Sequence, residues 1–214
     1  MQKTVPDRAA PHEWCPKQDI PEREEGRTDF PDRETAAAME RMFWVFSLCF
    51  RYPARDVYLR LRDSRRLLDN ITFDAASRAA ELPDLQGMQA EYVRLMVNNY
   101  GHVPAPPYAS CYLNREGLLL GSVQRELRRI MRDAGREPRD DVGEPADHIH
   151  LLLEFCAEMA GSVRRGESAE QSYAALRRVV REAVAPMAEP FCDRIVEHAQ
   201  YGLYRDIALA FREL

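Results

Sequence analysis

Lysine is almost absent: of 30 basic residues only Lys3 and Lys17 are lysines, and the rest are arginines. Arginine-rich runs such as Arg60–Arg66 and Arg125–Arg132 are interleaved with apolar residues at helical spacing, the pattern of solvated helix faces rather than of a nucleic-acid arm. With 35 acidic residues the net charge is −5 and the pI is near 5.6, which argues against a global electrostatic grip on nucleic acid. No stretch approaches the roughly 18 consecutive apolar residues of a membrane span. The first residues lack the apolar core of a signal peptide, so the expected place is the cytoplasm, without membrane insertion. The sequence also lacks GxSxG, a P-loop, GxGxxG and HExxH, which removes the common signatures of hydrolases, nucleotide enzymes and zinc proteases. Sustained period-two alternation of β-branched residues is missing too, as is any repeat of fixed period.

No CxxC pair occurs among the five cysteines, so a zinc ribbon and a thioredoxin-type dithiol are excluded. Cys49, Cys156 and Cys192 sit inside apolar helical patterns and read as small core residues. Cys111 lies in a loop and is the thiol to test for reactivity; Cys15 lies near the N-terminus.

What is present is helical. The 214 residues, 45% of them hydrophobic, suit one domain or two tightly packed subdomains. Residues 1–31 carry five of the fourteen prolines and few aliphatics, so they read as a mobile tail, with Trp14 and Cys15 as its unusual members. From Asp32 the pattern becomes helical. Met39, Met42, Phe43, Phe46 and Phe50 form one stripe, which Trp44 and Val45 widen. Val57, Leu61 and Leu68 suggest a second helix, and residues 74–82 a third. Asp84 can cap the helix carrying Tyr92, Leu95 and Met96. Residues 98–112, rich in proline, form an irregular loop. The next stripe is Leu120, Val123, Leu127, Ile130 and Met131, ending at Gly135. Glu144-Pro145 is read as opening a strongly apolar helix with Ile149, Leu152, Leu153, Cys156 and Met159, stopped by Gly166. Ser168 to Gln171 reads as a capping box for the helix of Tyr173, Leu176, Val180 and Val184, with Pro186 as its end. Phe191, Ile195 and Ala199, then Leu203, Ile207 and Phe211, mark two final helical segments. The expected fold is all-α, with about eight to ten helices.

Chemistry has few footholds. A di-iron bundle needs two Glu-x-x-His pairs or their equivalents facing inward. Asp147, His150 and Glu154 share one helix face and resemble half of such a site, but no other histidine has an acid three residues before it. His148 and His150, two residues apart, would point roughly opposite ways on a helix and would not easily hold one metal. No catalytic residue, cofactor or metal is therefore expected. Asp147 near a helix start has a plain structural reading, a carboxylate meeting exposed N–H groups.

Several motifs taken together carry a resemblance. They are Tyr92-x-x-Leu95-Met96, Pro106 to Leu113, Leu120-Gly121, and Glu144-Pro145-Ala146-Asp147-His148 followed by Leu153-Glu154-Phe155. In this order and spacing they resemble the TorD/DmsD/NarJ family of cytoplasmic molybdoenzyme maturation chaperones, also called redox enzyme maturation proteins. The resemblance runs from about residue 35 to the C-terminus. It implies a TorD-like all-helical fold in two lobes, about 32–135 and 145–214, joined by a hinge at 136–144. It implies a system-specific chaperone, not an enzyme. The implied partner is the apo catalytic subunit of a dimethyl-sulfoxide-reductase-type molybdoenzyme, bound through its twin-arginine signal peptide and held for cofactor insertion before export. Carried over by motif, the peptide-binding residues are Tyr92, Leu95, Met96, Pro107, Tyr108, Ser110, Asp147 and His148, with methionine at 96 where the family more often has phenylalanine. Two guanidinium forks need carboxylates, and Glu91, Glu116, Glu144, Asp147 and Glu154 lie near the motifs, Glu144 inside one of them. A charged His148 would oppose such a peptide below about pH 6.5. Monomer and homodimer are both compatible with a hinged helical chain. The alternative function is a helical regulatory or adaptor module that binds another protein.

Overall fold

The structure, a computed structural model, describes residues 30–63, 83–98, 101–114, 121–136 and 143–213. The expectations for the tail up to residue 29, for Leu68, residues 74–82, Glu116, Leu120 and the centre of the hinge, 137–142, lie outside the described residues. Among those described the fold is all-α and no strand occurs. Eight helices of two or more turns and one single turn follow one another: α1 Arg33–Cys49, α2 Arg55–Asp63, α3 Leu85–Tyr92, the single turn α4 Ser110–Leu113, α5 Ser122–Asp133, α6 Ile149–Arg165, α7 Ala169–Val179, α8 Ala185–His198 and α9 Gly202–Arg212. Two π-helical turns, Val93–Val97 and Val180–Val184, extend α3 and join α7 to α8.

Local signals explain most of these boundaries. Asp32 and Asp84 cap α1 and α3 by accepting the N–H groups of Thr35 and Gly87, each at 2.7 Å. Gly135 and Gly166 follow α5 and α6 with φ of 73° and 76°, the left-handed conformation that closes a helix. Three boundaries differ from the sequence reading. Ser168 is itself left-handed, with φ 44°, and its side chain makes no cap bond, so the capping box does not form. Pro186 does not end a helix; it sits in the first turn of α8, just after the π-helical turn whose helical backbone runs on into α8. Helix α6 begins at Ile149, four residues after Pro145, because Pro145 to His148 forms a turn closed by His148 N–H to Pro145 O at 3.0 Å.

Helix α6 is the centre. Apolar positions lie on nearly every side of it, and α1 and α7 pack against it. Phe46 of α1 and Phe50, the residue that follows that helix, meet Phe211 of α9 at ring distances of 5.2 and 5.1 Å, and Phe50 meets Phe191 of α8 at 5.2 Å. The core is one cluster that draws on residues from Phe43 to Met131 and on residues from Ile149 to Phe211. Trp44 departs from the expected stripe: it faces outward, while Val45 is buried. A Cβ at Gly161 would stand 2.9 Å from Glu40 Oε1, the flexible end of the carboxylate that pairs with Arg164 across the contact between α1 and α6. Leu152, without exposed surface at the centre of this packing, sets the scale: its truncation to alanine costs about 2–5 kcal/mol.

Candidate peptide-binding site

The loop before α4 lies across the start of α6. Ile149 N–H, which has no partner inside its own helix, donates to Pro107 O at 2.8 Å, and Ala109 N–H donates to Asp147 O at 2.9 Å. These two bonds flank an antiparallel bridge between Tyr108 and His148. Asp147 adds its side chain: Oδ2 accepts the Ser110 N–H at 3.0 Å with no surface exposed. The other end of the loop is tied by Ala105 N–H to Leu95 O, at 2.9 Å, inside the first π-helical turn.

A histidine pair sits under this seam. His148 precedes the first residue of α6 in extended backbone, φ −65° and ψ 132°, so it does not follow helical spacing. Its ring therefore turns back toward His150: the ring centroids are 4.4 Å apart and the two Nδ1 atoms 2.8 Å apart. His148 Nδ1 also accepts the His150 N–H at 3.2 Å, and its Nε2 lies 3.4 Å from Tyr92 Oη. Glu144 Oε2 lies 3.4 Å from His148 Nε2 and 3.3 Å from His150 Nδ1. The expectation that these two histidines diverge is thus overturned, because the first of them is outside the helix.

Burial fixes their charge. It holds the His148 imidazole well below its ordinary value, with His150 and the Arg51 charge acting the same way. His150 is pushed down to about 3, by burial first and by Arg51 second. Both rings are neutral at neutral pH, so their contacts with Glu144 are not ion pairs. No charge develops on His148 near pH 6.5, and the pH dependence expected from it falls away. Glu144 is raised by burial, opposed by Arg51, and Tyr108 is raised by burial and then by the charges of Glu144 and Asp147.

The nine residues singled out in the sequence come together around this seam, at different depths. Tyr92, Leu95, Met96, Pro107, Ser110, Asp147 and His148 are buried. Tyr108 and Glu144 are the two with surface to offer. Tyr108 stands edge-on to His148, at a ring distance of 5.1 Å. Of the other acids, Glu91 is committed elsewhere. It takes a two-bond fork from Arg94, 2.8 Å each, and accepts the N–H groups of Gln200 and Tyr201 at 2.7 and 3.3 Å, while Arg94 also donates to His198 O. Glu154 pairs with Arg51 at 2.9 Å. Cys111 lies in α4, half-buried, and its thiol is raised by burial and then by Asp147, which makes it less reactive than its loop position suggested.

Sequence reasoning missed an apolar surface next to the seam. Tyr52, Val93, Val97 and Tyr201 expose 43%, 37%, 53% and 46% of their area. Tyr52 packs edge-on against Tyr92 at 5.5 Å, Val93 and Val97 bound the π-helical turn that follows Tyr92, and the Tyr201 N–H reaches Glu91. The signal was in the run Tyr92-Val93-Arg94-Leu95-Met96-Val97. Leu95 and Met96 take the inner face, which leaves two valines, four apart, on the outer one.

With this geometry in place, comparison with known proteins defines the class. The family model for the nitrate reductase delta subunit matches residues 62–195, more than half of the 214 residues, and the chain belongs to this family. This is the TorD/NarJ group that the motifs resemble. Its relatives are named as chaperones. The chaperone protein TorD of Vibrio vulnificus is 25% identical over 146 residues, which cover 66% of this chain and 67% of that one. The Tat proofreading chaperone DmsD of Salmonella typhimurium is 28% identical over 120 residues, 56% of this chain and 54% of its own length. The crystal structure of a candidate redox enzyme maturation protein from Archaeoglobus fulgidus matches the fold with a TM-score of 0.56 at 21% identity, over 91% of this chain and 97% of the other. Among the described residues no helix is long and apolar enough to cross a membrane.

Proposed function

We propose that the protein is a maturation chaperone that binds the apo catalytic subunit of a dimethyl-sulfoxide-reductase-type molybdoenzyme in the cytoplasm, through its twin-arginine signal peptide, and assists cofactor insertion before export. The observation that carries this reading is the family membership together with relatives named TorD and Tat proofreading chaperone DmsD. The seam supports it physically. A twin-arginine peptide presents two guanidinium forks and then an apolar stretch. Glu144 is the half-exposed acid at the seam, and Tyr108, Tyr52, Val93 and Val97 are apolar or aromatic surface near it. The net charge of −5 favours encounter with a basic peptide. In this reading Asp147, Ser110 and Pro107 position the loop, Tyr92 and His148 support it from below, Leu95 and Met96 form its apolar floor, and Glu144 and Tyr108 touch the peptide.

The test is affinity capture with the tagged full chain from cells starved of molybdenum, with captured proteins identified by mass spectrometry. Enrichment of an apo molybdoenzyme catalytic subunit is expected. Enrichment of other proteins only would favour the adaptor reading instead.

A further inference from the structure

Glu144, His148 and His150 converge in a way that loop anchoring does not require. All three side chains bring a potential ligand atom within 4.8 Å of the others. Glu144 Oε2 is buried and lies 3.3–3.4 Å from two ring nitrogens, yet it makes no hydrogen bond. His150 Nε2, on a ring with 3% of its side chain exposed, also has no partner. Between the two Nδ1 atoms, 2.8 Å apart, one proton can be shared. That proton leaves the carboxylate oxygen unpaired, and unpaired buried polar atoms are costly.

A cation at the Nδ1 side pairs with that oxygen, while His150 Nε2, on the far side of its ring, stays without a partner. We propose that Glu144, His148 and His150 form a binding site for one divalent transition-metal ion of the zinc class at the start of α6. Two imidazoles and one carboxylate are a ligand set that zinc takes, with further positions left to water or to a ligand. Ligands bonded at about 2.0–2.1 Å stand roughly 2.9–3.4 Å from one another, between right-angle and tetrahedral geometry. The 2.8 Å between the Nδ1 atoms and the 3.3 Å from His150 Nδ1 to Glu144 Oε2 are close to this spacing. The ion takes the His148 Nδ1 lone pair from the His150 N–H, so one buried N–H loses its acceptor as the carboxylate oxygen gains a partner. His148 Nε2–H then points to Tyr92 Oη, 3.4 Å away, and the Tyr92 O–H donates to Phe50 O at 3.5 Å, an outer shell that orients the ring. The neighbouring charge of Arg51 does not stand alone, because Glu154 is paired with it. Glu144, the half-exposed ligand, is where the ion would enter, and the ion and a peptide guanidinium would compete for its carboxylate.

The experiment uses the full chain, stripped with chelator, dialysed, and titrated with zinc sulfate by calorimetry. A parallel cobalt(II) titration is followed by visible absorption. One zinc per chain is expected, with a melting temperature that rises with zinc. Cobalt should give d–d bands without the intense near-ultraviolet band of thiolate ligation. Glu144→Gln, at a half-exposed position, should fold and bind zinc more than about tenfold more weakly, since even outer-shell losses reach that size. His150→Gln should do the same. No stoichiometric zinc in the wild-type chain would overturn the proposal. So would equal affinity in wild type and Glu144→Gln, or a thiolate band, which would assign the metal to cysteine.

Discussion

Asp147 holds the chain at Ala109 and Ser110 with two different atoms. Its carbonyl takes the Ala109 N–H at 2.9 Å, and its carboxylate takes the Ser110 N–H at 3.0 Å. One buried residue therefore fixes the proline-rich loop to the start of the central helix. The partly exposed Tyr108 is held between these anchors.

Asp147→Ala removes the side-chain bond and leaves the Ser110 N–H unpaired inside the protein. The expected cost is about 1–3 kcal/mol. Asp147→Asn keeps an acceptor for that N–H and should recover most of the loss. Thermal melts of the three proteins decide this. Equal destabilisation by Asn and Ala would mean that the charge of Asp147, not its hydrogen bond, is what the fold needs.

Glu91→Ala should be costly for a different reason. It strips the Arg94 guanidinium of its fork and uncaps the Gln200 and Tyr201 N–H groups just before α9. Breaking a buried pair from one side costs about 3 kcal/mol or more. Chemical denaturation should show the loss as a lower midpoint. An unchanged midpoint would make this pair dispensable.

Cys111 should alkylate slowly. Burial and the Asp147 charge raise its thiol, with Arg194 opposing, so the reactive thiolate is scarcer at pH 8 than in a free peptide. Cys49 and Cys192, pushed up to about 12 by burial, should react more slowly still. Mass-spectrometric mapping after timed iodoacetamide treatment gives the order. A Cys111 rate equal to that of an unstructured cysteine peptide would contradict the half-buried position in α4.

Much of the fold was legible because a helix core leaves a periodic trace. The stripes of Phe43, Phe46 and Phe50, of Val123, Leu127 and Ile130, and of Leu152, Cys156 and Met159 are buried as their spacing predicts. What was not legible depends on contacts distant in sequence. Pro145 carries a helix-start signal, yet α6 begins at Ile149, where the Pro107 carbonyl satisfies its first N–H. Trp44 looks like core by composition, but α1 already fills its inner face with Phe43 and Phe46. The site motifs pointed to residues that lie near one another, and not to their depth. Seven of the nine residues named from them are buried, because a run such as Glu144 to His148 records which residues meet, not which ones face water. The convergence of His148 and His150 was hidden for the same reason, since it depends on one extended residue ahead of the helix.

Recognition at the seam is tested most directly by a peptide titration. A signal peptide of the captured catalytic subunit, carrying its two consecutive arginines, is titrated calorimetrically into the full-length wild-type chain and into Tyr108→Ala and Glu144→Gln. The same peptide with both arginines replaced by alanine serves as the comparison. Hydrogen bonds to charged groups contribute about 1.5–3 kcal/mol, so loss of the arginines or of the Glu144 carboxylate should weaken binding roughly tenfold to hundredfold. Tyr108→Ala should weaken it as well. Equal affinity for both peptides, or for wild type and both variants, would contradict recognition at this seam.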